Sequence, residues 1–210
     1  MIICIEGIDG SGKATQSELL AESLKASGKE VLLLSYPDYK SESGKRIREY
    51  LHSKESMPEV KQLFKMYIDD IAKDSEKIRE AGKNGIVVLD RYYMSTVAYQ
   101  CAQGFGYAKA KETINAMRLP KPDLIIYLNI SPQDSAVRKM KEGEILDRHE
   151  RNMDLLRGVG REYEREMSDG FPIKRWVEIS AIRSKDDIHH LIMKEVGKVS
   201  AKTESRKKIK

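Results

Sequence analysis

The segment Glu6-Gly7-Ile8-Asp9-Gly10-Ser11-Gly12-Lys13-Ala14-Thr15 follows the apolar run Ile2-Ile3-Cys4-Ile5 and precedes the amphipathic stretch Gln16-Ser17-Glu18-Leu19-Leu20. The order predicts strand, phosphate loop, helix. Gly7, four further residues and then Gly12-Lys13 have P-loop spacing: glycines turn successive backbone N–H groups inward around phosphates, and the lysine reaches the β/γ oxygens. The helix that follows offers its positive end to the same anion. Residues Gly7 to Thr15 are thus expected to bind a nucleoside triphosphate. One position departs from the pattern. After the lysine a Ser or Thr hydroxyl normally ligates Mg²⁺, and here Ala14 stands instead. Thr15 points about 100° away around the helix and is expected to face the α-phosphate. Magnesium would then rely on phosphates, waters and another carboxylate.

Outward from the loop, five short apolar runs recur between helical patterns: Ile2–Ile5, Val31–Leu34, Ile86–Leu89, Leu124–Leu128 and Trp176–Ile179. This alternation predicts an α/β, three-layer fold, a five-stranded parallel sheet with helices on both faces. The length of 210 residues suits one such domain. Its boundaries are expected at residues 1–197, with a basic, disordered tail over 198–210. The net charge of +5 resides in that tail, and the remainder is formally neutral. A nucleic-acid role would rest on the tail alone, and no segment has the length and apolarity of a membrane span. Cys4 and Cys101 lack metal-ligand spacing and read as core thiols of a cytoplasmic protein.

In an open parallel sheet, ligands sit beyond the carboxyl ends of the strands. After the second run, Tyr36-Pro37-Asp38-Tyr39 begins a loop in which Tyr36 and Tyr39 either wall a base or sugar pocket or pack a turn. A long helical pattern then carries Phe64, Tyr67, Ile68 and Ile71 on one face and runs toward Ala81-Gly82. The third run ends in Asp90-Arg91-Tyr92, with Ser95, Tyr99 and Gln100 on the next helix. Asp90 is placed to hold a Mg²⁺-bound water and Arg91 to fork onto a second phosphate, although the dipeptide alone favours a strand-end ion pair between Asp90 and an unidentified cation, with Arg91 merely exposed. A mobile basic loop is expected about residues 138–148, with Arg138, Lys139, Lys141 and Arg148. His149 has no second histidine near it and is not expected to ligate metal.

Together, the phosphate loop, Tyr36-Pro37, Asp90-Arg91-Tyr92 with Ser95 and Ala98-Tyr99-Gln100, the basic lid ending Leu146-Asp147-Arg148-His149-Glu150, and Tyr163 resemble the thymidylate kinases across roughly residues 2–193. The resemblance implies a homodimer that moves the γ-phosphoryl group of ATP onto dTMP with Mg²⁺. It assigns Lys13 and the loop amides to ATP phosphates, and Asp9 to the sugar hydroxyl and reacting phosphates. Arg91 goes to the acceptor's 5′-phosphate, Asp90 to the metal's water shell, and Ser95, Tyr99 and Gln100 to the nucleoside pocket. Because position 10 is glycine, the lid cations are implied to compensate, Arg138 first among them, with Lys141 and Arg148 toward ATP. The family's base-stacking aromatic falls at Tyr67, and its base-reading arginine falls at Ile71; a one-turn slip would bring Phe64 into the stacking role. Tyr39 stands where some relatives carry a basic phosphate contact. Ile71 leaves a dUMP or UMP kinase as the nearest alternative, and Ala14 leaves a nucleotide-binding module without turnover.

Overall fold

The computed structural model describes residues 1–52, 59–143 and 147–207. Its strands are β1 (Ile2–Glu6), β2 (Val31–Ser35), β3 (Ile86–Asp90), β4 (Leu124–Asn129) and β5 (Trp176–Ser180), each within one residue of the expected apolar run. The helices are α1 (Lys13–Ala26), α2 (Glu42–His52), α3 (Val60–Ala72), α4 (Ser75–Asn84), α5 (Tyr93–Ala102), α6 (Tyr107–Met117), α7 (Pro132–Glu142), α8 (Met153–Asp169) and α9 (Lys185–Lys207).

The strands pair in parallel in the order β2-β3-β1-β4-β5. Strands buried on both faces read as continuous apolar runs, and every residue of β1 and β3 is buried. The step from β1 to β2 runs across the sheet in one direction and the later crossovers run the other way. Right-handed connections therefore put α1 on one face and α3, α5 and α8 on the opposite face, while α9 returns to pack on α1. Three layers follow, with β1 and β3 central.

Three expectations change, the first being that Arg138, Lys139 and Lys141 of the expected mobile loop stand on helix α7, which runs to Glu142. The single long helix after residue 60 is two, α3 and α4, broken at Lys73-Asp74. Asp74 heads α4, and its carboxylate accepts a hydrogen bond from Tyr36 Oη at 3.1 Å, which ties the break to the loop after β2. The chain also stays helical beyond Gly197, as far as Lys207. Ile188, Ile192, Val196 and Val199 form one buried stripe, so core packing passes through the expected boundary. Lys208 and Lys210 of the expected tail, and residues 144–146 of the expected lid, lie outside the described residues.

Candidate active site

The loop after β1 turns where glycine permits it. Gly10 and Gly12 take φ of +74° and +88°, and a Cβ on Gly10 would sit 2.4 Å from Ser135 Oγ. Gly12 is the N-cap of α1, which directs the helix's first N–H groups at the cleft. Lys13 opens the helix and is buried; its Nζ donates to Ile8 O at 2.7 Å. Desolvation, aided by the nearby Arg91 guanidinium, lowers the Lys13 ammonium to about 8.

At the end of β3, Arg91 has a left-handed backbone, φ +64°, which costs a non-glycine residue roughly 1–2 kcal/mol. Its neighbours hold it there. Nη1 donates to Gly7 O at 2.9 Å and to Ser95 Oγ at 3.1 Å, and Nη2 pairs with Asp9. Asp9 also accepts from Tyr99 Oη at 2.8 Å. Burial alone would raise the Asp9 carboxyl, but Arg91, Lys13 and the Tyr99 hydroxyl outweigh it and hold Asp9 well below the usual carboxylate range.

Glu6 lies under this cluster, fully buried. Its Oε1 accepts from Tyr92 N at 2.8 Å, and its Oε2 accepts from Ser95 Oγ and from Tyr163 Oη at 3.0 Å. Desolvation pushes its carboxyl up to about 7 against those donors and Arg91. By gripping Tyr92 N and Ser95, Glu6 fixes the strained Arg91 turn from below.

Two clefts open from this point. The donor cleft is lined by the loop from Asp9 through Thr15, by Ser35 and Asp90, and by Arg138 and Lys139. The acceptor cleft is lined by Tyr67, Ile71, Ser95, Tyr99, Gln100 and His149 among others. They share Asp9, Tyr36, Pro37, Tyr39 and Arg91 as a common wall. Any two anions held in them would face each other across Arg91.

The sequence-expected residues sort clearly. Arg138 reaches the loop from α7 and is anchored by Gly10 O at 3.1 Å and Ala181 O at 2.6 Å. Lys139 lines the same cleft, paired with Glu150. Lys141 is exposed on α7 away from the cleft, and Arg148 packs its guanidinium 5.2 Å from the Tyr50 ring centroid, off both walls of the donor cleft. Tyr67 and Ile71 both line the acceptor cleft, while Phe64 is stacked on Phe105 at 4.5 Å. Of the two aromatics, Tyr67 is therefore the one placed at this cleft.

Four residues escaped the sequence reading. Glu6 was a loop flank, and Ser35 an unremarked strand end. Asp70 is fully buried and accepts from Asp38 N at 2.8 Å, Ser41 Oγ at 2.7 Å and Ser43 Oγ at 2.6 Å, pinning the loop that carries Tyr36 and Tyr39. His149, dismissed as a metal ligand, is an acceptor-cleft residue bonded through Nε2 to Tyr50 Oη at 3.1 Å, and burial lowers its imidazolium to about 4. Among the described residues no cluster of three or more His, Cys, Asp or Glu could cage a metal.

A phosphate loop and an arginine fork sharing one wall between two clefts define a P-loop kinase that acts on a phosphorylated acceptor. The thymidylate kinase family profile matches residues 5–192, and the chain belongs to that family. A probable thymidylate kinase of Archaeoglobus fulgidus is 38% identical over 147 residues, 69% of this chain and 72% of the relative. The thymidylate kinase of Schizosaccharomyces pombe is 30% identical over 95% of this chain and 92% of its own. A solved thymidylate kinase from Candida albicans, reported with broad substrate specificity, superposes with a TM-score of 0.75 at 25% identity, covering 94% of this chain and 92% of that one.

Proposed function

We infer that the chain is a thymidylate kinase, transferring the γ-phosphoryl group of ATP to dTMP to give ADP and dTDP. The observation that carries the mechanism is the shared wall: one arginine and one aspartate border both clefts. An oxygen of the acceptor's phosphate attacks the γ-phosphorus, the bond from that phosphorus to the β–γ bridging oxygen breaks, and ADP leaves. The acceptor oxygen is already anionic, so no protein nucleophile is needed. The protein's contribution is positioning and charge. Loop amides and Lys13 hold the donor, Arg91 holds the acceptor phosphate, and Arg138 covers the transferring group from α7. Tyr67 stacks on the base, and Ser95, Tyr99 and Gln100 complete the nucleoside pocket. Lys141 and Arg148 would reach ATP only through movement of the lid, whose closure would exclude water.

Mg²⁺ suits this donor set. Asp90 presents a buried Oδ1 with no hydrogen-bond partner, and a single carboxylate plus phosphates and waters is a common Mg²⁺ arrangement. When bound, the ion neutralises charge on the donor phosphates. The resemblance to the family supports a homodimer. Cys4 and Cys101 are both free, with thiols raised by burial, which supports a reducing, cytoplasmic setting. Among the described residues no helix is long and apolar enough to cross a membrane. Residues 1–197 are read as the kinase domain; α9 carries its packed stripe on to Val199, and the basic residues after that stripe are read as dispensable for catalysis.

A second reading, a wider range of pyrimidine acceptors, is carried by Ile71. It lines the acceptor cleft where a hydrogen-bonding arginine would discriminate bases. Coupled ADP release with ATP, Mg²⁺ and separately dTMP, dUMP, UMP, CMP and dGMP decides between the two, with Lys13→Ala as blank. Preference for dTMP is the expected result. Equal turnover of dUMP or UMP would move the substrate, and no acceptor-dependent release would leave a nucleotide-binding module.

A further inference from the structure

The phosphate loop lacks its metal-ligating hydroxyl, and a hydroxyl stands elsewhere on the same cleft. Ala14 occupies the position after Lys13. Ser35 ends β2 directly beside Asp90, which ends β3; the two are register partners, and Ser35 Oγ donates to Asp90 Oδ2 at 3.0 Å. Both line the donor cleft together with Lys13 and Ala14. Asp90 is only 8% exposed, and its second oxygen, Oδ1, is buried with no hydrogen-bond partner. A buried carboxylate oxygen without a donor calls for a cation or a cation's water. The neighbouring positive groups are engaged elsewhere. Lys13 Nζ donates to Ile8 O and Ser11 Oγ, and the Arg91 fork is taken by Asp9, Gly7 O and Ser95.

We propose that Ser35 supplies from β2 the hydroxyl that position 14 lacks, holding Asp90 so that the pair carries the hydrated Mg²⁺ of the bound nucleotide. Strand pairing places the serine there: β2 and β3 run in parallel, and register partners at their carboxyl ends reach the cleft side by side. Thr15 is the nearer hydroxyl in sequence, but it lies about 100° around α1 from the position whose side chain it would have to replace. The proposal rests on the Mg²⁺·ATP reading above and is tested without turnover.

The probe is Mn²⁺, titrated against the protein at saturating ADP and followed by electron paramagnetic resonance of the free ion. ADP binding in EDTA, by calorimetry, is the measure of folding and of the metal-free site. Ser35→Ala is expected to weaken Mn²⁺ binding about tenfold, the usual size for loss of a residue that orients a metal-holding carboxylate, and to leave ADP affinity in EDTA within about twofold of the parent. The double variant Ser35→Ala with Ala14→Ser is expected to recover most of the Mn²⁺ affinity by restoring the hydroxyl at its usual place. Unchanged Mn²⁺ affinity in Ser35→Ala overturns the proposal and leaves the Mg²⁺ reading intact. An equal loss of ADP affinity in EDTA, or a Mn²⁺ loss confined to Thr15→Val, also overturns it. No Mn²⁺ binding by the parent chain with ADP present would remove both.

Discussion

Replacing Glu166 by leucine should make the protein more stable, and more so at pH 8 than at pH 5.5. Glu166 lies on α8 in the α5–α8 contact, is fully buried, and neither carboxylate oxygen has a hydrogen-bond partner. Desolvation, with Glu6 and Glu162 adding like charge, raises its carboxyl well above the ordinary value. Tyr93, Tyr107 and Cys101 are the other titratable groups facing it, all with pKa values raised and none cationic. A carboxyl that is harder to ionise when folded costs nothing extra in acid. Stability is lost as pH rises past the unfolded value toward the folded one, because the unfolded chain then releases a proton that the folded chain keeps. Leucine has a similar volume and no proton to keep.

Leaving a polar group unsatisfied in the interior costs about 1–3 kcal/mol, and well-packed apolar replacements of buried charged groups recover about 1–4 kcal/mol. For a chain of this size each kcal/mol moves the midpoint by about 2–4 °C. Glu166→Leu should therefore gain about 3–10 °C at pH 8, with a smaller gain at pH 5.5. Glu166→Gln should remove the part of the pH dependence that Glu166 contributes while keeping the cost of burying polar atoms, which separates ionisation from polarity. Calorimetric melts of the three proteins at both pH values measure this. Since Glu166 lines neither cleft, dTMP phosphorylation should stay within about twofold. A leucine variant that melts below the parent at pH 8, or a gap that does not change with pH, would refute the reasoning.

Further outcomes follow from the site and from α8. Lys13 is charged below about 8 and neutral above it in the free enzyme, so kcat/KM for ATP should fall as pH rises through that value; Lys13→Arg, which does not titrate there, should lose the break. Glu6→Gln keeps one acceptor where Tyr92 N, Ser95 and Tyr163 need two, and loosening the Arg91 turn should lower kcat/KM for dTMP about 10- to 100-fold while KM for ATP holds. A matching rise in KM for ATP would mean that Glu6 supports the whole loop instead. Gly44→Ala would place a Cβ 1.9 Å from Asp38 O and push away the loop carrying Tyr36 and Tyr39, raising KM for dTMP, whereas Gly160→Ala in α8 meets nothing within 4 Å and should gain about 0.5–1 kcal/mol in a urea titration.

The division between what could be read from residue order and what could not follows the range of the interactions. The five strands and the loop after β1 are written locally, in apolar runs and in glycines whose φ values the turn demands, and they stand where the pattern puts them. Arg91, Ser95 and Tyr99 were legible because all three flank one strand end. Glu6 and Ser35 act through partners up to 157 and 55 positions away, Tyr163 and Asp90. Sequence gives such residues a type but no address. Pairing supplies it: once β1, β2 and β3 are known to be parallel neighbours, the residues ending each strand must meet at one edge. The run of α9 past Gly197 was hidden for a related reason. Gly197 looks like a helix stop, yet the stripe of Ile188, Ile192, Val196 and Val199 crosses it with helical spacing, and the burial of that stripe against the rest of the core outweighs the roughly 1 kcal/mol that a mid-helix glycine costs. A break in α3–α4 shows the converse. Periodicity there runs on from Ile71 to Ile78, but Asp74 is drawn out to Tyr36 and Lys73 bridges Asp38, Asp70 and Asp74, so bonds to the substrate-facing loop override the helical pattern. The departures from local pattern at Arg91 and at Asp74 thus lie where the chain shapes the acceptor cleft. A stabilising repair at either place should come at the expense of dTMP binding.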